Sequence, residues 1–147
     1  MKKILVLAGA VALMTGVPAA AHAQTPHLAS RMQIMTKLNG MNEAPHGDMH
    51  GSGKATVTLY PKAGKVCYAI TVKGLMGTAV AAHIHKGNVG VSGPVVIQVG
   101  TPGMNGRSVG CVKAKTSVIR AIMMSPRSYY INVHTKKYTA GAIRGQL

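Results

Sequence analysis

Two stretches of this sequence carry imidazoles at a spacing that suits a metal ion. In Val80-Ala81-Ala82-His83-Ile84-His85 two histidines stand at i and i+2. On an extended strand they share one face, about 6.6 Å apart along the chain, from which two rings can converge on one ion. In Tyr129-Tyr130-Ile131-Asn132-Val133-His134 the last residue also falls opposite the apolar set Ile131 and Val133, so His134 is the natural third ligand. A set of neutral imidazoles suits copper(II) or zinc(II). The same histidines can instead hydrogen-bond to loop backbone near Gly87, Gly90 and Gly93 and fix a turn. The sequence leaves both readings open.

A second cluster is His46-Gly47-Asp48-Met49-His50. His46, Met49 and His50 could hold copper loosely or extend the first site, or the composition of a flexible loop is accidental. Two of the ten methionines fall within the export signal, and most of the others are expected to fill a core that has no Phe and no Trp.

Catalysis has little to work with. Glu43 and Asp48 are the only acids. No Ser/His/Asp or Cys/His nucleophile arrangement can be assembled around them, and no glycine-rich loop has a phosphate-cradling pattern. The expectation is a protein that binds rather than an enzyme. Glu43 pairs with Arg144 or Arg31 in this reading, and Tyr130 and Asn132 cap the histidines.

These side chains are positioned by short β-like runs at 32–38, 53–60, 65–73, 78–85, 94–99, 108–113, 129–135 and 142–147, separated by Gly, Pro and Asn. Helical spacing at 117–123, stopping before Pro126, predicts one short helix. The fold class expected is all-β, a Greek-key sandwich or barrel of about eight antiparallel strands. In the fourth run Val80, Ala82 and Ile84 form the core face and His83 and His85 point away from it.

The N-terminus reads as a cleavable export signal over 1–23: Lys2 and Lys3, an apolar run from Ile4 to Val17, then Ala21-His22-Ala23. Pro18 and the alanines end the run too early for a membrane anchor. A mobile lead-in over 24–30 and one β domain over 31–147 follow, placed in the periplasm or outside the cell. Cys67 and Cys111, the only cysteines, are expected to pair in such a compartment.

Charge narrows the partners. The whole chain is formally +15; without Lys2 and Lys3, fifteen Lys and Arg face two acids, a formal +13. Anionic company in the cell envelope follows: lipid headgroups, acidic polysaccharides, DNA outside the cell or acidic proteins. Dedicated nucleic-acid binding is not expected, because the basic residues are mostly single and lack interleaved aromatics.

Leu38-Asn39-Gly40-Met41-Asn42-Glu43-Ala44-Pro45, Gly51-Ser52-Gly53-Lys54-Ala55, Gly74-Leu75, Ala81-Ala82-His83-Ile84-His85-Lys86-Gly87, Gly93-Pro94-Val95-Val96, Tyr129-Tyr130-Ile131-Asn132-Val133-His134-Thr135 and Gly141-Ala142-Ile143-Arg144-Gly145-Gln146-Leu147 resemble, in order, the CHRD domain. In animals this domain is repeated in chordin, an extracellular antagonist of bone morphogenetic proteins; in bacteria it occurs as a short exported protein. The resemblance implies an extracellular all-β module with no established enzyme activity and supplies no ligand.

The His-x-His strand, the later strand histidine and the terminal Gly-Ala-Ile-Arg-Gly are also similar to copper,zinc superoxide dismutase, a Greek-key β protein. Carried over, His83, His85 and His134 would ligate copper and Arg144 would guide the anion, unless its role is structural. No histidine follows His85 at the bridging position, and no compact set of later His plus Asp supplies a zinc site. Those departures argue against dismutase turnover.

Overall fold

The structure, a computed structural model, describes residues 30–147. The export signal over 1–23 and nearly all of the lead-in over 24–30 lie outside the described residues. The eight strands are β1 (Met32–Asn39), β2 (Ser52–Tyr60), β3 (Lys65–Lys73), β4 (Ala79–Lys86), β5 (Val95–Val99), β6 (Arg107–Lys113), β7 (Tyr129–Thr135) and β8 (Ile143–Gln146). One helix, α1 (Thr116–Met124), lies between β6 and β7. Every strand and helix end falls within one residue of the sequence expectation. Two short 3-10 turns, Gly40–Asn42 and Pro126–Ser128, were not expected.

All strands pair antiparallel in one sheet of order β5-β4-β7-β8-β1-β2-β3-β6. Its two edges, β5 and β6, lie against each other, so the sheet curls into a nearly closed barrel. The chain crosses twice, from β3 to β4 and through α1 from β6 to β7, which is Greek-key connectivity. Closure leaves little free strand edge to pair with another chain.

The interior is filled by alternate residues of the strands. Val57, Leu59, Val66, Ile84, Ile131, Val133 and Ile143 are fully buried, and Tyr129 is the only aromatic among the buried core residues that pack together. Each contributes roughly 1.5–3 kcal/mol by leaving water. Helix α1 adds Ile119, Ile122 and Met123, at i, i+3 and i+4; contrary to expectation, Met123 is the one buried methionine among the described residues, because Val, Ile and Leu suffice to fill the barrel. That stripe packs on β2 and β3.

One expectation fails at β4. Val80 was assigned to the core with Ala82 and Ile84, yet it is 47% exposed. The register against β7 slips between Ala79 and Ala81, so Val80 is the extra residue of a bulge and is turned outward. Beyond the bulge the alternation holds, with Ala82 and Ile84 inside and His83 and His85 outside.

Cys67 and Cys111 stand directly opposite each other on β3 and β6 and form a disulfide, Cα to Cα 3.9 Å. Both acids are buried, Glu43 at 5% and Asp48 at 0% exposure. Asp48 folds its loop onto the barrel: its carboxylate accepts from the backbone N–H of His50, Gly51 and Met76.

Candidate metal centre

The outward row of β4, β7 and β8 reads His83, Asn132 and Arg144, each facing the next in register. The next row, displaced by two residues along the strands, reads His85, Tyr130 and Gln146. Outward residues of a barrel normally face water, but here every residue of β7 is buried. Two loops cover the row. Residues 40–51 fold back over β8, with the Asp48 N–H donating to the Ala142 carbonyl. Residues 87–93, between β4 and β5, close from the other side, and the Ser92 hydroxyl donates to the Ala44 carbonyl to join the two.

Side chains of β8 hold the second loop in place. Arg144 is 1% exposed, and its terminal nitrogens donate to the carbonyls of Val91 (3.0 Å) and Asn88 (2.7 Å). Gln146 donates to the carbonyls of Gly87 and Arg127. Gly93 admits no side chain, because a Cβ there would run into the Lys86 carbonyl. The loop therefore presents its Gly93 carbonyl to the His85 ring.

His83, His85 and His134 come together, each offering a ring nitrogen within 4.8 Å of the others. Among the described residues no other group of three or more His, Cys, Asp or Glu gathers in this way. His85 Nδ1 lies 2.8 Å from the Gly93 carbonyl and His134 Nδ1 lies 2.9 Å from the Thr139 carbonyl. A carbonyl only accepts, so both Nδ1 atoms carry the proton and both Nε2 atoms keep a lone pair. His85 Nε2 is buried and has no hydrogen-bond partner. His134 Nε2 lies 3.1 Å from His83 Nδ1.

This donor set fits a divalent ion. Metal-bound histidines ordinarily donate their second N–H to a carbonyl or carboxylate, which fixes tautomer and ring angle. Two nitrogens on a tetrahedral zinc at about 2.0–2.1 Å stand about 3.3 Å apart, near the His83–His134 separation. Burial is the main cause that lowers the pKa of both His83 and His85, and the neighbouring imidazoles add to it. Both rings are therefore neutral near pH 7, the form that ligates.

Neighbours orient these rings. Tyr130 stacks on His85, centroids 4.7 Å apart, and receives the Gly93 N–H on its hydroxyl. The Asn132 amide lies 3.0 Å from His134 Nε2 through Oδ1, while its Nδ2 has no partner. Turning that amide by half a revolution gives Nδ2 the Nε2 lone pair as acceptor, so Asn132 competes with a metal for the same electrons. Tyr130, Asn132 and His134 follow the i, i+2, i+4 pattern of one strand face, the signal that marks them together in the sequence.

Other residues singled out in the sequence stand apart from the cluster. His46, Met49 and His50 are exposed on the covering loop; His46 Nδ1 is 3.0 Å from the Met41 carbonyl. Arg31 is exposed at the start of β1. Glu43 sits beside Asn132 and Arg144; burial outweighs both and raises its pKa to about 7. Gly141, at φ +145°, passes against the Glu43 carboxyl where any side chain would collide.

The arrangement defines a class of protein: an antiparallel Greek-key barrel with a three-imidazole cluster under two loops. The CHRD domain family model matches residues 34–147, and the chain belongs to that family. No curated protein and no solved structure gives a significant match.

Proposed function

We propose that this protein is an exported metal-binding protein that holds copper(II) or zinc(II) on His83, His85 and His134, and that it binds without catalysing. The observation that carries this reading is the His85 Nε2 lone pair, buried without a partner beside two further imidazoles. An unpaired buried acceptor costs roughly 1–3 kcal/mol, a cost that a coordinated cation removes. The ion would supply Lewis acidity and the residues would fix its position.

Several features favour binding over turnover. The Asp48 carboxylate is taken up by the backbone N–H groups of His50, Gly51 and Met76. The terminal nitrogens of Arg144, the anion guide in a dismutase-like reading, are directed at loop carbonyls. Export is supported by the leader-like start of the chain and by the disulfide, which persists in oxidising compartments. No helix among the described residues is long and apolar enough to cross a membrane.

The test is calorimetric titration of copper(II), and separately zinc(II), into the mature protein and the double variant His83→Ala, His85→Ala. One-to-one binding abolished in the variant, and unchanged in His46→Ala, His50→Ala, is the expected result. Absence of saturable binding, or equal binding by the double variant, assigns the histidines to structure.

A further inference from the structure

Away from the histidines, the outer face of β1, β2, β3 and β6 concentrates cations that nothing in the chain neutralises. Lys37 on β1 stands directly opposite Lys54 on β2, Lys54 opposite Thr71 on β3, and Thr71 opposite Arg107 on β6. Lys73 follows two residues along β3. All five side chains are exposed. Like charges directly opposite in an antiparallel ladder destabilise it, and such pairs are normally interleaved with carboxylates. Here both acids of the chain are buried elsewhere, so every ionised side chain on this face is positive.

The lysines border a depression of about 610 Å³ lined by Lys37, Asn39, Ser52, Lys54, Thr71 and Lys73, together with Leu38 and Gly53. Between the charges Asn39, Ser52 and Thr71 offer an amide and two hydroxyls. We propose that this face binds an acidic polysaccharide, with Lys37, Lys54, Lys73 and Arg107 pairing its carboxylates or sulfates and Asn39, Ser52 and Thr71 bonding its hydroxyls.

The side chains of the wall favour this polyanion over single-stranded nucleic acid. Single-stranded nucleic acid is held by stacking its bases on aromatics. Tyr60, the aromatic of β2, lies about 20 Å along the strand from Lys54 and is engaged by Lys65, whose Nζ is 5.1 Å from the ring centre. The side chains that line the depression carry ammonium, hydroxyl and amide groups, the partners that the carboxylates and hydroxyls of a polyuronate require.

The experiment measures binding of polygalacturonate to the mature protein by calorimetry, in EDTA so that the histidine cluster stays metal-free. Two triple variants carry the same net charge: Lys37→Gln, Lys54→Gln, Lys73→Gln on the face, and Lys115→Gln, Arg120→Gln, Arg127→Gln around α1. The face variant is expected to lose about tenfold in affinity and the control less than twofold. Equal losses overturn the site, because net charge alone would then explain binding. A single-stranded oligonucleotide, or anionic phosphatidylglycerol vesicles, bound more tightly than the polyuronate by the wild type overturns the assignment of the partner. Circular dichroism of both variants confirms that folding is unaffected.

Discussion

The ring of His85 lies parallel to that of Tyr130, centroids 4.7 Å apart and planes 6° apart, and Tyr130 in turn carries the Arg144 guanidinium 3.3 Å from its own ring centre. Tyr130 thus links the candidate ligand to the residue that pins the covering loop. If this contact fixes the angle of His85, Tyr130→Leu lowers metal affinity about tenfold, the loss typical of groups that orient a ligand. Tyr130→Phe keeps the stack, gives up only the bond from Gly93 N–H, and stays within a few-fold of wild type. Titration of copper(II) or zinc(II) into both variants checks the difference; equal affinities would mean the stack does not position His85.

Arg144 does its work by spanning two carbonyls with one planar fork. Arg144→Met leaves the Val91 and Asn88 carbonyls without their donors and removes the cation over Tyr130. The expected loss is about 2–3 kcal/mol in urea unfolding of the metal-free protein. Arg144→Lys recovers little, because an ammonium cannot reproduce the fork. A lysine variant as stable as wild type would show that charge alone, and not the paired hydrogen bonds, holds the loop.

Much of this was legible in the sequence because strand alternation is a local signal. Ile84 against His83 and His85, and Ile131 and Val133 against Asn132 and His134, fixed inside and outside before any partner strand was known. The cover over the outside was not legible. That Arg144 and Asn132 are buried on an outward face depends on two loops that arrive from residues 40–51 and 87–93, contacts far apart in the chain. The bulge at Val80 escaped for a related reason: a bulge is a mismatch with the neighbouring strand, and Val80 is apolar like its neighbours. The carbonyls of Gly93 and Thr139 that set the histidine tautomers carry no side-chain signature at all.

The disulfide joins adjacent strands at directly opposed positions and closes a loop of 44 residues. By the chain-entropy argument it contributes about 4 kcal/mol through restriction of the unfolded chain. Cys67→Ala, Cys111→Ala should unfold in urea with a stability lower by that order, and wild type under reducing conditions should match it. Metal binding should survive both treatments, since β3 lies across the barrel from β7 and β5 stands between β6 and β4. Loss of metal binding on reduction would tie the two sites together.

Stability of the metal-free protein should carry two opposed pH dependences. Burial lowers the pKa of His83 and His85, so below the unfolded value of 6.5 the unfolded chain takes up protons that the folded one refuses. Their contribution is complete above pH 6.5 and is lost as the pH falls. Glu43 acts in the other direction. Its folded pKa of about 7 exceeds the ordinary value of 4.5, so the folded state holds the extra proton between the two. That contribution is complete below 4.5 and is lost as the pH rises through 7. Glu43→Gln removes the second dependence and leaves the first, so its stability relative to wild type should grow between pH 5 and pH 7 and level off towards pH 8. Urea unfolding in EDTA at unit pH intervals measures this; a gap constant across that range would mean Glu43 is ionised in the folded protein throughout.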